Sequence, residues 1–274
     1  MKAIKFTGLV LAAALLSVKV MAQTEELKVP LTDPGKPYKL SVGLVSGSIT
    51  ITGYSGKEIV IEASGDAGSR RKHEDRDEAR QGGMKRINSN GGLDITAKEK
   101  NNTVTIGSDI PMRNTNLNIK IPQGVTNLKI ECVNSGNITV SNVSGDIEAT
   151  NINGSVFLND VSGSVVASSV NGNVKVSFKS IDSKAPMAFS TLNGNVDVTF
   201  PANLKANVKL KSDRGGIYTD FEIDADKDTK VNKSAKNGMY RLTIDETVTG
   251  KINGGGPDVM MKTMNGSLYL HKAK

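Results

Sequence analysis

Residues 135–176 read SGNITVSNVSGDIEATNINGSVFLNDVSGSVVASSVNGNVKV, and glycine returns in them at Gly136, Gly145, Gly154, Gly163 and Gly172, every nine residues. With 28 glycines in 274 residues, four such returns after a given glycine would arise by chance about once in ten thousand. The period is therefore built into the chain. Two residues after each glycine stands Ile138, Ile147, Val156, Val165 or Val174, and four after stands Val140, Ala149, Leu158, Ala167 or Val176. Two before come Val143, Ile152, Val161 and Val170, with Asn134 the exception in the first unit. Alternation at these offsets is the period of an extended strand and assigns all of these side chains to one face. The polar pairs Ser141-Asn142, Thr150-Asn151, Asn159-Asp160 and Ser168-Ser169 fall between units and read as corners. Their short side chains bond nearby backbone groups, and glycine accepts positive φ.

A unit of about seven extended residues and a two-residue corner spans roughly 20 Å. That is one side of a coil. Successive sides wind into a solenoid whose strands pair with their equivalents about 4.8 Å away, stacking the inward Val and Ile in columns. Whether two or three units close a coil is left open by the sequence. Asn153, Asn171, Asn173, Asn193 and Asn195 are expected to stack as polar ladders. Related units flank the array at looser spacing: VSGSITI around Gly47, LNGNVDV around Gly194, DRGGIYTDF from Asp213, INGGG around Gly254 and MNGSLYL around Gly266. The fold class read from this is all-β, a single-domain β-solenoid built from nine-residue SG/NG strand-turn units.

The composition agrees. Aromatic residues make up 4% of the chain, and there is no Trp, one Cys (Cys132) and two His (His73 and His271). A core must be aliphatic, and a His-rich metal centre, a zinc cysteine cluster and an internal disulfide are excluded. Cys132, in the apolar run Leu128–Val133, reads as a small buried hydrophobe.

Residues 1–22 read as an export signal: Lys2 and Lys5, an apolar run from Leu9 to Val18, and small residues in Val20-Met21-Ala22 before Gln23. Lys19 ends the run short of a membrane span, no Cys follows it to accept a lipid, and no later stretch has spanning length. The mature domain is then 23–274, in the periplasm or outside the cell. Removing Lys2, Lys5 and Lys19 leaves 32 basic and 28 acidic residues, a balance of +4 against the whole-chain +7. That mild charge, with no basic clusters interleaved with aromatics, gives nucleic-acid binding no support.

One segment departs from the pattern. Residues 65–86 form a charged insertion carrying Arg70, Arg71, Lys72, Arg76, Arg80, Lys85 and Arg86 against Asp66, Glu74, Asp75, Asp77 and Glu78. It reads as a solvated loop or short exposed helix, and alternatively as a basic surface for an anionic glycan or acidic partner. His73 within it and His271 near the end read as incidental.

The opening LSVGLVSGSITITGYSGKEIVIEA, the segment GLDITAKEKNNTVTI, the stretch LNIKIPQGV and the ladder of SG and NG units resemble the putative adhesin family of bacterial envelope proteins. The resemblance spans about Leu40 to Leu270. It implies an exported β-solenoid with a surface-interaction role, and it brings no binding residues.

No nucleophile elbow, phosphate-binding loop or zinc-protease helix occurs. Gly254-Gly255-Gly256-Pro257-Asp258 is a single copy and reads as a turn, and EIDADKD around Asp224 and Asp226 as an exposed acidic turn. The outward positions of the array carry Ser, Asn, Thr and single Lys, so the chain reads as non-catalytic, with no cofactor. Tyr38, Tyr54, Phe157, Phe178, Phe189, Phe200, Tyr218, Phe221, Tyr240 and Tyr269 are scattered and offer no flat aromatic platform for a sugar. The expected function is adhesion, the binding of a glycan or protein partner through a long rigid surface. The alternative is a periplasmic structural or envelope-stress component, and a polysaccharide-active β-helix enzyme ranks below both. Exposed strand edges at the solenoid ends call for capping or for homo-oligomerisation.

Overall fold

The computed structural model describes residues 25–65, 94–108, 114–182, 184–226, 230–236, 239–245 and 247–274. The expected signal segment 1–22 and the charged insertion's Arg70, Arg71, Lys72, Arg76, Arg80, Lys85 and Arg86 lie outside the described residues. The N-terminal strands are β1 (Glu25–Pro30), β2 (Tyr38–Ser46), β3 (Ile49–Tyr54), β4 (Glu58–Gly65), β5 (Thr96–Lys100), β6 (Thr103–Gly107) and β7 (Thr115–Pro122). The central strands are β8 (Val125–Asn134), β9 (Ile138–Ser141), β10 (Asp146–Asn151), β11 (Val156–Gly163), β12 (Val165–Asn171), β13 (Val174–Ile181), β14 (Met187–Asn193) and β15 (Val196–Phe200). There follow β16 (Ala206–Ser212), β17 (Ile217–Thr219), β18 (Asp224–Asp226), β19 (Lys230–Lys236), β20 (Met239–Asp245), β21 (Val248–Ile252), β22 (Asp258–Asn265) and β23 (Leu268–Lys272).

The coil has two sides. Consecutive central strands alternate between a ten-stranded sheet, in the order β1-β4-β7-β3-β9-β11-β13-β15-β23-β17, and an eleven-stranded one, β18-β21-β16-β22-β14-β12-β10-β8-β2-β6-β5. Two nine-residue units therefore close one coil, and register partners in the array, such as Ile147 and Val165 or Val156 and Val174, stand 18 residues apart. The body pairs parallel. Both ends turn antiparallel, through β1–β4 and β5–β6 at one and β18–β21 at the other. Antiparallel capping strands block further parallel stacking at a sheet edge.

Winding order and stacking order part company at both ends. The N-terminal coil β2–β3 sits between β6–β7 and β8–β9, and the C-terminal coil β22–β23 sits between β14–β15 and β16–β17. The chain leaves a slot at each end of its continuous array, and a terminal segment fills it. Regular winding, expected from the repeat, thus holds only from β8 to β15.

The core is a double column of aliphatic side chains. Ile49, Ile51, Leu117, Ile119, Ile138, Val140, Val156, Leu158, Val174, Val176, Val196 and Val198 from one sheet meet Leu128, Ile130, Ala149, Val165, Phe189, Val259 and Met261 from the other, all at 2% exposure or less. Where the column widens, Phe178, Phe189 and Phe200 fill it, Phe178 stacked on Phe200 at 4.9 Å and Phe189 edge-on to both. Tyr38 is buried beside the N-terminal coils and donates its hydroxyl to Pro122 O at 2.6 Å.

The corners explain which glycines and which apolar residues the repeat needs. In the corner leading into the ten-stranded sheet, a Cβ placed on Gly154 would stand 1.9 Å from Gly136 O, and one on Gly172 would stand 2.2 Å from Gly154 O. Neither glycine has positive φ. What they supply is close approach of stacked backbones rather than a left-handed turn. The other corner carries left-handed residues at Asn142 (φ 56°) and Asp160 (φ 52°), and the first corner carries one at Ser135 (φ 62°) between β8 and β9. Asn142 and Asp160 each break the two-residue alternation, so that Val143 and Val161 turn inward and are buried. The β10–β11 and β12–β13 corners have no such left-handed residue. Alternation runs on from Ile147 and Ala149 to bury Asn151, and it turns Ile152 outward at 39% exposure. Val170 follows the same rule, so half of the residues two before a glycine face solvent, contrary to the single-face expectation.

Polar side chains, buried at Asn151, Ser169, Thr191 and Thr263 and half-buried at Ser212, close the hydrogen bonding at that corner. Asn151 Nδ2 donates to Gly136 O (2.8 Å), Ser169 Oγ to Gly154 O (2.8 Å), Thr191 Oγ1 to Gly172 O (2.7 Å), Thr263 Oγ1 to Gly194 O (2.8 Å) and Ser212 Oγ to Gly266 O (2.8 Å). Cys132 occupies the same column, its Sγ 3.1 Å from Gly47 O. The thiol is thus a donor to a carbonyl as well as buried bulk, and burial pushes its pKa up, away from thiolate chemistry. The expected amide ladder is present: Asn153 donates to Asn134, Asn171 to Asn153, Asn193 to Asn171 and Asn265 to Asn193, at 2.6–2.9 Å. Asn173 and Asn195 form a second one, each accepting from the backbone N–H one coil on, Asn195 N and Ser267 N, at 2.8 Å.

Candidate interaction surface

The outer face of the ten-stranded sheet carries a gathering of aromatic and charged side chains. Parallel register sets residues of one phase in a line across the coils, so Phe157, Lys175, Asp197, Tyr269 and Tyr218 follow one another on β11, β13, β15, β23 and β17. Tyr218 and Tyr269, 51 residues apart in sequence, stack with ring centroids 5.1 Å apart and planes within 12°. The expected scatter of tyrosines is therefore corrected. Intercalation of β23 between β15 and β17 is what brings the two rings together, and no local pattern encodes it.

His271 lies two residues beyond Tyr269 on the same face, its ring nearly parallel to that of Tyr269 at 6.2 Å. Its Nδ1 is 3.1 Å from Asp220 Oδ2 and its Nε2 3.8 Å from Asp197 Oδ1. Lys175 Nζ reaches the other oxygen of Asp197 at 3.1 Å. The hydrogen bond from His271 holds the Asp220 carboxyl below the usual carboxylate range, assisted by the Lys272 backbone N–H. His271, read as incidental from sequence, is instead the link between two carboxylates.

The patch lies at an edge. β17 is the last strand of the ten-stranded sheet, and Tyr218 is 55% exposed. Lys272 Nζ stands 5.2 Å over the ring of Phe221, which is buried beneath this end. The surface thus offers stacked rings, carboxylate acceptors and the cationic donor Lys175 on one sheet face. It is open and shallow, with no enclosed acid/base pair. No group of three or more metal-ligating side chains suited to a cation occurs among the described residues. The turn at Gly254-Gly255 is as expected, both glycines at positive φ, whereas EIDADKD contributes a strand, β18, where a turn was expected.

These features define an all-β, two-sided β-solenoid with open outer faces. Residues 147–253 match the model of the Toastrack DUF4097 family. The match runs from β10 to β21, and the solenoid continues beyond it at both ends. Among solved structures, the chain is similar to a putative cell adhesion protein from Clostridium sporogenes, at 10% identity and TM-score 0.41, covering 92% of this chain and 100% of that one. It is likewise similar to a putative adhesin from Bacteroides fragilis, at 12% identity and TM-score 0.41, covering 92% and 98%. No curated protein matches. No helix among the described residues is long and apolar enough to cross a membrane.

Proposed function

We propose that this chain is an exported, non-catalytic binding protein of the cell envelope that engages a glycan through the Tyr218–Tyr269–His271 face. The observation that carries the reading is the stacked tyrosine pair set among Asp197, Asp220 and Lys175 on a flat sheet. A pyranose ring has an apolar C–H face and a rim of hydroxyls. Aromatic side chains match the former at low entropic cost, while carboxylates and ammonium groups accept from and donate to the latter. Export rests on the signal-like residues 1–22, with a single domain following from 23 to 274.

The test is binding of the purified protein to an immobilised panel of neutral and acidic polysaccharides, repeated with Tyr218→Ala and Asp220→Asn. The expected result is capture on at least one polysaccharide that weakens about tenfold in Tyr218→Ala with an unchanged circular dichroism spectrum. Capture that is indifferent to both substitutions, or absent across the panel, overturns the glycan reading. Protease shaving of intact cells, with lysed cells as the control, separates a surface location from a periplasmic one. Protection until lysis sinks the adhesin reading and favours the periplasmic scaffold.

A further inference from the structure

The outer face of the eleven-stranded sheet carries a separate feature. Ile152, Val166, Val170, Leu192, Met260 and Met264, on or just beyond β10, β12, β14 and β22, are each 38–47% exposed. Register sets them in two lines, Val166–Ala188–Met260 and Ile152–Val170–Leu192–Met264. The line between them is polar, Thr150, Ser168 and Ser190, and ends on β22 in the exposed Lys262. The result is a pair of apolar lines, divided by a polar one, on the outside of a sheet, where solvated strands ordinarily place polar residues.

Charge brackets these lines asymmetrically. In the Val166 line, Glu148 precedes the apolar residues on β10 and Lys209 follows them on β16. Taking β14 as the centre, Glu148 and Lys209 are each two strands away, on opposite sides. We propose that the occupant of this face is a second copy of the chain, docked sheet to sheet with its solenoid axis antiparallel, about a two-fold axis running along β14. That operator sets Val166 against Met260, Val170 against Met264 and Ser168 against Lys262, so that each ammonium faces a hydroxyl rather than its own copy. It also sets Glu148 of each copy against Lys209 of the other, giving two equivalent ion pairs per dimer. The parallel alternative sets the Lys262 position against its own copy and is disfavoured by like charge.

Five strands at about 4.8 Å and six residues at about 3.3 Å give a contact of roughly 480 Å² per copy. The total of about 1,000 Å² sits at the lower bound of specific interfaces, so the dimer is weak, with a micromolar dissociation constant. The tyrosine faces of the two copies would then point outward on opposite sides. This assembly does not depend on the glycan reading.

Sedimentation velocity of the purified protein, from about 5 to 500 µM, is the test. The expected result is a concentration-dependent shift from monomer to dimer, abolished in Leu192→Lys with an unchanged denaturation midpoint. Glu148→Lys and Lys209→Glu should each weaken the dimer about tenfold, and the double reversal Glu148→Lys/Lys209→Glu should restore it. A monomer at every concentration overturns the proposal. So does a dimer that survives Leu192→Lys, or one that the double reversal fails to rescue.

Discussion

Replacing Gly154 with alanine tests the account of the corners. The added Cβ would stand 1.9 Å from Gly136 O and 2.8 Å from Asn151 Nδ2. An ordinary contact needs about 3.2 Å or more, so adjacent coils must part locally by more than 1 Å. Three hydrogen bonds flank the site: Ile138 N to Ser155 O at 3.0 Å, Asn153 N to Val133 O at 3.0 Å, and Asn151 Nδ2 to Gly136 O at 2.8 Å. Lengthening them by that amount forfeits about 1 kcal/mol each, and the buried Asn151 amide adds the cost of an unmade bond. The expected loss is about 3–5 kcal/mol, or a melting temperature lowered by roughly 6–20 °C for a chain of this size. The control is Gly43→Ala on the outer face of β2, where φ is not positive and a Cβ meets nothing within 4 Å. There the smaller unfolded-state entropy should stabilise by about 0.4–1 kcal/mol. Urea denaturation followed by far-ultraviolet circular dichroism measures both. Equal midpoints for Gly154→Ala and Gly43→Ala would refute close backbone approach as the reason for the repeating glycine.

Three further outcomes are expected. Asn151 is fully buried with its Oδ1 unpartnered, whereas the equivalent Thr191 and Thr263 donate to the same kind of carbonyl and carry no such oxygen. Asn151→Thr should therefore raise stability by about 0.5–2 kcal/mol, and a lower denaturation midpoint would show that the longer bond to Ser155 O matters more. Ile152→Thr, on the solvent side of its corner, should cost under about 0.5 kcal/mol, against about 2 kcal/mol for Val161→Thr inside the core. Comparable losses in the two variants would contradict the inequivalence of the corners. Glu99 is held below the usual carboxylate range, chiefly by the Thr32 hydroxyl, so it contributes stability above its unfolded pKa of about 4 that is lost as pH falls through the lower folded value. The gap in midpoint between the wild-type chain and Glu99→Gln should accordingly close below about pH 4, and a gap that stays constant to pH 2 would refute that role.

The nine-residue glycine period and the alternation that follows it were enough to read an all-β solenoid, the aliphatic core at Ile138, Ile147, Val156, Val165 and Val174, and the asparagine ladders. These are local consequences: a two-residue period defines a face, and identical polar side chains one coil apart are neighbours by construction. The sequence could not separate two sides from three, because the unit length is the same in both. It also misassigned Ile152 and Val170, since the phase of a strand beyond a corner depends on whether a left-handed residue such as Asn142 or Asp160 stands in that corner. Both Asn and Asp populate turns of either kind.

The candidate surface was the least legible part, because its parts are remote. Tyr218 and Tyr269 meet, and Asp220 reaches His271, only because β22–β23 returns to fill the slot between β14–β15 and β16–β17. A repeat sequence specifies what each coil looks like and which coils can stack, since every SG or NG unit fits against every other. The order in which they stack is set by the long-range choice among equivalent slots, made by the unequal connections at the two ends of the array. That choice, rather than any motif, builds the aromatic face.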